Sequence, residues 1–561
     1  MKTKTAISFK IIDVTAKEDA TFISTDKQDF SDLTDLKKLD ISPVKYGTLE
    51  KDYFLLDGTY VLMPGDLSND EFGFWSQSLS DENGVFNTPV VLEVSFTENH
   101  SSIGMTFVFH EPTNDYSTSL NVKWYDGSET LLDDKSFIPD GSVYFADNMV
   151  ENYQKVVITF NATNKPFRYL KLTQIEFGQI KIFDSSDLIS ANVLEEVDLL
   201  SSEIRVNTLD LTLHSSDTEF SVMNPSGIYS LLQQRQPLTA YIFLDGVKKN
   251  MGTFYLEDWL NDNDSTITMK AIDLIGVIDG TTFKGGIYSN ASVESIVNQI
   301  MLSANAEYDL DESLGSLTLS GYIPICTHRE ALQQVAFAIG AIVDCSRSDK
   351  IAIRTVSMVN SGTVSYNRKV YGHKVKLKPL ITGVEVISHL YVASNVTISL
   401  FEGTLGIGTH EILFNEPAHS LSVTGGSIIS SGANHAVLNV TIAGNVVLQG
   451  KRYNDNTRTF GVYNPSIPAG EKINIVSVKK CTLISNSNAS SLAQKIYDYY
   501  QLRHQDEGMI LLIDEKSGDL ITLDSLYNQQ IEGYIEKLDI DLTGGFIADM
   551  TITGGALPNV G

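Results

Sequence analysis

The chain has 561 residues, 42% of them hydrophobic and 20% charged, with a net charge of −29 from 70 acidic against 41 basic residues. At roughly 100–200 residues per domain, that length implies three to five compact units, each large enough to bury a core without disulfides or metals. The acidic excess disfavours phosphate-backbone contact, which needs clustered Lys and Arg, and docking on anionic lipid, so no direct nucleic acid or membrane partner is expected.

Residues 1–50 read as a lead-in, with Ile7, Phe9 and Ile11 alternating as in a strand and a polar connector over 30–50. From 51 to 189 the hydrophobic period is two. PVVLEVSF (89–96), GMTFVFH (104–110), SLNVKWY (119–125), KVVITF (155–160) and RYLKLTQIEFG (168–178) follow one another between Gly, Asn and Pro breaks. An antiparallel β-sandwich is expected there, since such alternation buries one face and wets the other. Residues 190–280 form a first small β-barrel unit. Asp245-Gly246 supplies a hairpin turn between apolar alternations, and NDND (261–264) closes a second hairpin.

The pattern changes over 281–355 to an α+β subdomain. Val293, Ile296, Val297 and Ile300 share one helical face, and Thr327 with Glu330 forms a capping box at the start of a second helix, which should stop at Gly340. Strands return over 356–488 as a second barrel with a strand-rich insertion. Residues 489–561 hold a helix, ASSLAQKIYDYYQLR, and the closing barrel strands. YLEDW (255–259) and YIEKL (534–538) share the order aromatic, aliphatic, acid, polar, apolar, an echo compatible with duplication or with chance. The fold expected is therefore mainly β with an α+β insert: a sandwich, two small β-barrel domains and an α/β subdomain.

Residues that carry chemistry are sparse. The ten histidines show no His-x-x-x-His or His-Glu-x-x-His spacing, and His328 reads as a solvated helix-end residue. GTLGIG (403–408) lacks the Lys-Ser or Lys-Thr of a phosphate loop and reads as a hairpin turn. DLDESLG (309–315) has neither Gly at the sixth nor Glu at the twelfth position of a calcium loop, and DNDS (262–265) reads as a turn. Cys326, Cys345 and Cys481 lack paired spacing, so neither a disulfide framework nor a zinc knuckle is expected; Cys326 precedes a helix start, which lowers a thiol pKa when exposed, while a packed interior role is the commoner case. No catalytic, cofactor-binding or metal-binding residue is assigned and no cofactor is expected. Trp75 and Trp124 are the speculative glycan contacts, set against ordinary packing inside the sandwich. The N-terminus lacks the apolar core of a signal peptide and no segment reaches the ~20 apolar residues of a bilayer span, so assembly in a reducing cytoplasm and release by lysis are expected.

From about residue 190 the order of elements resembles a phage tail-tip and baseplate-hub family that includes the spike protein of type VI secretion. The likeness lies in EEVDLLSSEIRVNTLDLTLHSSDTEF (195–220), GTFYLEDW (252–259), MKAIDLIGVID (269–279), GYIPICTHREALQQVAFAIGAIVDCSRSDKIAIR (321–354) and SSLAQKIYDYYQLRHQDEGMILLIDEKSGDLITL (490–523). The sandwich resembles a galactose-binding or discoidin-like jelly roll through GFWSQSLSDENGVF (73–86) and FRYLKLTQIEFG (167–178). The first resemblance implies a structural virion protein, a homotrimer in which two similar barrels per chain make a six-membered ring between three-fold tip and six-fold tube. Implied partners are the tail tube or distal tail ring, tape-measure and tip or fibre proteins, and, through the jelly roll, a cell-wall carbohydrate. Relatives continue into a wall-degrading domain whereas this sequence ends after its closing strands, so no enzymatic activity is expected. The rival readings are a carbohydrate-binding host-attachment protein and, behind it, a cell-wall glycan hydrolase.

Overall fold

The computed structural model describes residues 3–557 except 39–42, 49, 54, 57, 62–71, 215–231, 233, 264, 371 and 527–528; the end of the 195–220 stretch thus lies outside the described residues. The fold is mainly β with a small helical part. Its centre is one continuous thirteen-stranded sheet. The strands are β1 (Thr3–Ile12), β2 (Gly178–Asp184), β3 (Leu188–Glu196), β4 (Thr208–His214), β5 (Pro237–Leu244), β6 (Val247–Asn263), β7 (Thr266–Ile272), β8 (Asn360–Val364), β9 (Lys374–Leu377), β10 (His504–Leu511), β11 (Leu520–Asp524), β12 (Gln530–Asp541) and β13 (Ile547–Ala556). The spatial order is β9-β10-β13-β12-β3-β4-β7-β6-β5-β1-β2, with β11 also pairing β12 and β8 pairing β11.

Period-two alternation explains which faces are buried. In β4, Leu209, Leu211 and Leu213 point inward while Asp210 points out. Strands from 188–272, with β1 and β2 added at their edge, form one half of this sheet, and strands from 360–556 form the other. They meet where β3 pairs β12, and their inward side chains, from Ile7 to Ile552, form one shared core. Residues 1–50 begin not as a lead-in but as a sheet strand: β1 pairs β5 on one side and β2 on the other, and Ile7, Phe9 and Ile11 are buried. The alternation in this segment is local, whereas both partner strands lie more than 160 residues away along the chain.

Between β1 and β2 the chain forms a separate seven-stranded sheet with a core of its own, which includes Phe107, Phe109, Trp124 and Phe160. Its longest strand, Val85–Phe109, changes register between Ser95 and Gly104, so one strand serves two parts of the fold. The joint to the central sheet is polar and dry. Glu176 accepts from Lys10 Nζ at 2.7 Å and from Lys17 Nζ, and all three side chains are buried. Beside it Gly178 has φ +150°, and a Cβ there would lie 2.2 Å from the Ile11 carbonyl oxygen.

The three longest described helices pack on a second core: α1 (Val293–Ala304), α2 (His328–Ile339) and α3 (Ala489–Tyr500). Val293, Ile296, Val297 and Ile300 of α1 are buried as their spacing requires. The capping box of α2 is formed on both sides, with Thr327 Oγ1 accepting from the Glu330 amide and Glu330 accepting from the Thr327 amide, and Gly340 ends the helix at φ +65°. His328 departs from expectation. It is buried, and its ring nitrogens bond Thr281 Oγ1 at 2.8 Å and Ser303 Oγ at 3.0 Å, because the helix start is covered by Phe283 and the 278–281 turn. The strand-rich insertion is an arm, a hairpin of Gly383–Leu405 against Gly444–Tyr463. Near its tip a three-stranded sheet closes a small core around Phe414, Leu438 and Leu448. No described helix is long and apolar enough to cross a membrane.

Candidate assembly interface

The central sheet is built from the same unit twice. The first half runs β3-β4-β7-β6-β5-β1 and the second runs β9-β10-β13-β12-β11-β8, so four strands consecutive in sequence are arranged first, fourth, third, second in both. The register agrees to the residue. Leu256 pairs Ala271, Glu257 is skipped, and Asp258 pairs Lys270; Ile535 pairs Ile552, Glu536 is skipped, and Lys537 pairs Thr551. Each skipped glutamate is a β-bulge that advances the alternation by one residue, so inward side chains fall three apart: Leu256 and Trp259 in β6, Ile535 and Leu538 in β12. The echo between YLEDW and YIEKL is this bulge.

The bulge splits each long strand into two edges. The first part of β12 pairs β11, and the part after the bulge pairs β3, with Asn192 opposite Asp541, Leu194 opposite Asp539 and Glu196 opposite Lys537. This junction between halves is well packed: Val193 and Ile540 have no solvent exposure, and Lys537 Nζ stands 3.4 Å from Glu196 Oε1 on the outer face. A turn of the α+β subdomain locks it. Arg347, in a left-handed conformation (φ +58°), donates to both carboxylate oxygens of buried Glu195 on β3 and to the Glu515 carbonyl in the second half. Ser346 Oγ lies 2.8 Å from Ser517 Oγ across the same gap. Nothing in the sequence spacing signals Glu195, Arg347 and Ser517 as a set, because the three come from separate segments.

The glycan candidates lie elsewhere and inside. Trp75 and Trp124 both have no solvent exposure, so neither indole presents a face for a sugar to stack on. Trp75 sits edge-on to Phe30, Tyr46 and His110, over a buried ion cluster in which Lys171 Nζ donates to Glu50 Oε1 at 2.6 Å and Asp115 Oδ2 at 2.8 Å. Burial and the Lys171 charge push the pKa of neighbouring His110 down to about 4. Cys326 is half-buried and burial pushes its thiol up to about 12, which fits packing rather than nucleophilic work. GTLGIG is the turn joining two strands of the arm, and in DLDESLG Asp311 caps a short helical turn. Among the described residues no group of three or more His, Cys, Asp or Glu is placed to hold a metal ion.

One cluster has the membership of a catalytic triad without its order. His373 Nδ1 lies 2.7 Å from Asp506 Oδ1, and Ser525 Oγ donates to Asp506 Oδ2 at 3.2 Å. The serine bonds the carboxylate rather than the imidazole, and His373 Nε2 is taken by the Met509 carbonyl, so no base faces the hydroxyl. Burial pushes the Asp506 carboxyl up, but the His373 hydrogen bond and the Lys369 charge leave it below its ordinary value. The cluster ties the approach to β9 onto β10, a structural task.

No protein-family model matches the chain, and no curated protein matches it. Among solved structures it is similar to the 43 kDa tail protein of prophage MuSo2 from Shewanella oneidensis, at 12% identity over 66% of this chain and 95% of that one, TM-score 0.40. A tail protein from Neisseria meningitidis MC58 is 9% identical over 66% of this chain and 93% of that one, TM-score 0.42. Prophage tail protein gp18 from Listeria monocytogenes EGD-e is 9% identical over 67% and 91%, TM-score 0.40. With scores below 0.5, these likenesses by themselves decide neither fold nor function.

Proposed function

We propose that this chain is a non-enzymatic structural subunit of a phage or phage-like tail, a homotrimeric hub that seats a six-fold tube on a three-fold tip. The observation that carries the reading is the sheet unit repeated twice in one chain with the same strand order and the same bulge. Three chains then present six equivalent units, and a heterologous contact repeated around the ring closes it. The element order that resembles tail hubs supports the same conclusion. So does the plain chemistry of the interior, where buried Glu176, Glu195 and Lys171 are engaged in ion pairs that fasten one element to another. Location in the virion and partners among tube, tape-measure and fibre proteins belong to this reading. Light scattering on the purified chain tests it: a mass of three chains is expected, and a strict monomer or a two-chain species at all concentrations contradicts it.

A further inference from the structure

We infer that β9 of one copy adds in antiparallel register to the post-bulge edge of β6 in the next copy, with Lys376 opposite Leu260 and Lys378 opposite Asp258. The inference rests on the ring reading above and supplies its contact. The template is inside the chain. Unit equivalence places Asn192, Val193, Leu194 and Glu195 of β3 where Lys374, Val375, Lys376 and Leu377 of β9 stand, because Asp210 pairs Asn192 as Glu507 pairs Lys374. It likewise places Lys537–Asp539 of β12 where Asp258–Leu260 of β6 stand. In the chain β3 pairs β12. The equivalent partners β9 and β6 sit in different places: β9 ends the sheet, and among the described residues no strand pairs Asp258–Leu260 on the side away from β7.

Side chains on the two edges match. Val193 is fully covered at the internal junction, whereas its equivalent Val375 is 39% exposed and Leu377 is 58% exposed, as is expected of a strand lacking its neighbour. In the inferred register Leu377 meets Trp259, which is already partly packed on the core. On the opposite face Lys378 stands opposite Asp258, and Lys376, opposite Leu260, lies diagonal to the same carboxylate. The pair Lys378–Asp258 is the internal Glu196–Lys537 pair with its signs exchanged. Lysines on an edge strand also deter indiscriminate pairing, and here they forbid β9 from pairing β9 while admitting an acidic partner. The strand is held ready, with His373 and Lys369 on Asp506 at its start and Lys378 Nζ donating to Thr553 Oγ1 and standing 3.7 Å from Glu536 at its end, so the pair with Asp258 would share that ammonium with its own chain.

Cysteine cross-linking of the full chain tests the register. With Cys326→Ser as background, Lys376→Cys plus Leu260→Cys is expected to give a disulfide ladder ending at three chains. Lys376→Cys plus Asn261→Cys, whose side chains leave opposite faces, is expected to stay uncrosslinked. As a second readout, Lys376→Glu, diagonal to Asp258 in this register, should raise the half-assembly concentration by about tenfold, and adding Asp258→Lys should restore it. A trimer that forms normally yet gives no ladder and ignores charge reversal overturns this edge and leaves the hub reading intact. A chain that never trimerises overturns both.

Discussion

Lys171, Glu50 and Asp115 pack beneath Trp75 with no more than 2% exposure on any of the three side chains. Replacing the ammonium by an apolar stem of similar length strands the buried Glu50 carboxylate, while Asp115 keeps Lys165 at 2.8 Å and Arg168 at 3.7 Å. Lys171→Met should therefore cost about 3–5 kcal/mol by urea unfolding, the range for breaking a buried pair by removing one partner. Lys123→Met, whose pair with Asp134 is open to water, should leave the midpoint unchanged. His110 in the same cluster contributes to the pH dependence. Its folded pKa of about 4 lies below the ordinary 6.5, so it stays neutral when folded and takes up a proton on unfolding as pH falls. The stability it contributes is fully present above about 6.5 and is lost as pH drops toward 4. His110→Gln, able to keep bonds to Thr113 and the Val44 carbonyl, should remove the rise of melting temperature with pH that His110 supplies between those limits, lowering the slope relative to the unsubstituted chain. An unchanged slope would mean the titration lies in another group.

Elements are joined at points where backbones nearly touch. Gly178→Ala should loosen the β1–β2 pairing, since its Cβ meets the Ile11 carbonyl at 2.2 Å and its φ of +150° suits glycine. Hydrogen exchange should show the Phe9–Ile11 amides losing protection, while Gly141→Ala, with only a 3.9 Å contact, leaves them unchanged. At this scale the sequence was a good guide wherever a signal is local. Asp245-Gly246 turns the β5–β6 hairpin with φ of +49° and +90°, and the α2 capping box and the α1 face follow directly from spacing. The YLEDW and YIEKL echo carried more than five letters suggest, because a bulge fixes where the alternation slips. What stayed hidden depends on distant partners: β1 completing the sheet, β3 joining the halves through β12, and Arg347 reaching Glu195. Strand register is chosen by burial against neighbours that a single segment does not reveal. Trp75 and Trp124 were ambiguous for the same reason, since a tryptophan on a strand reads alike whether its face meets solvent or core.

As a whole the molecule is a sheet of two like halves, with a separate seven-stranded sheet inserted between β1 and β2 and a β arm inserted between β9 and β10. Its net charge of −29 opposes casual association, so a stable assembly needs specific, repeated contacts of the kind the internal junction displays. The most direct measurement of the central claim is the rotational symmetry of assembled particles in single-particle images. Rings of three chains should show six equivalent sheet units around a three-fold axis. Particles with one unit of each kind facing solvent, or with two-fold symmetry only, would contradict it.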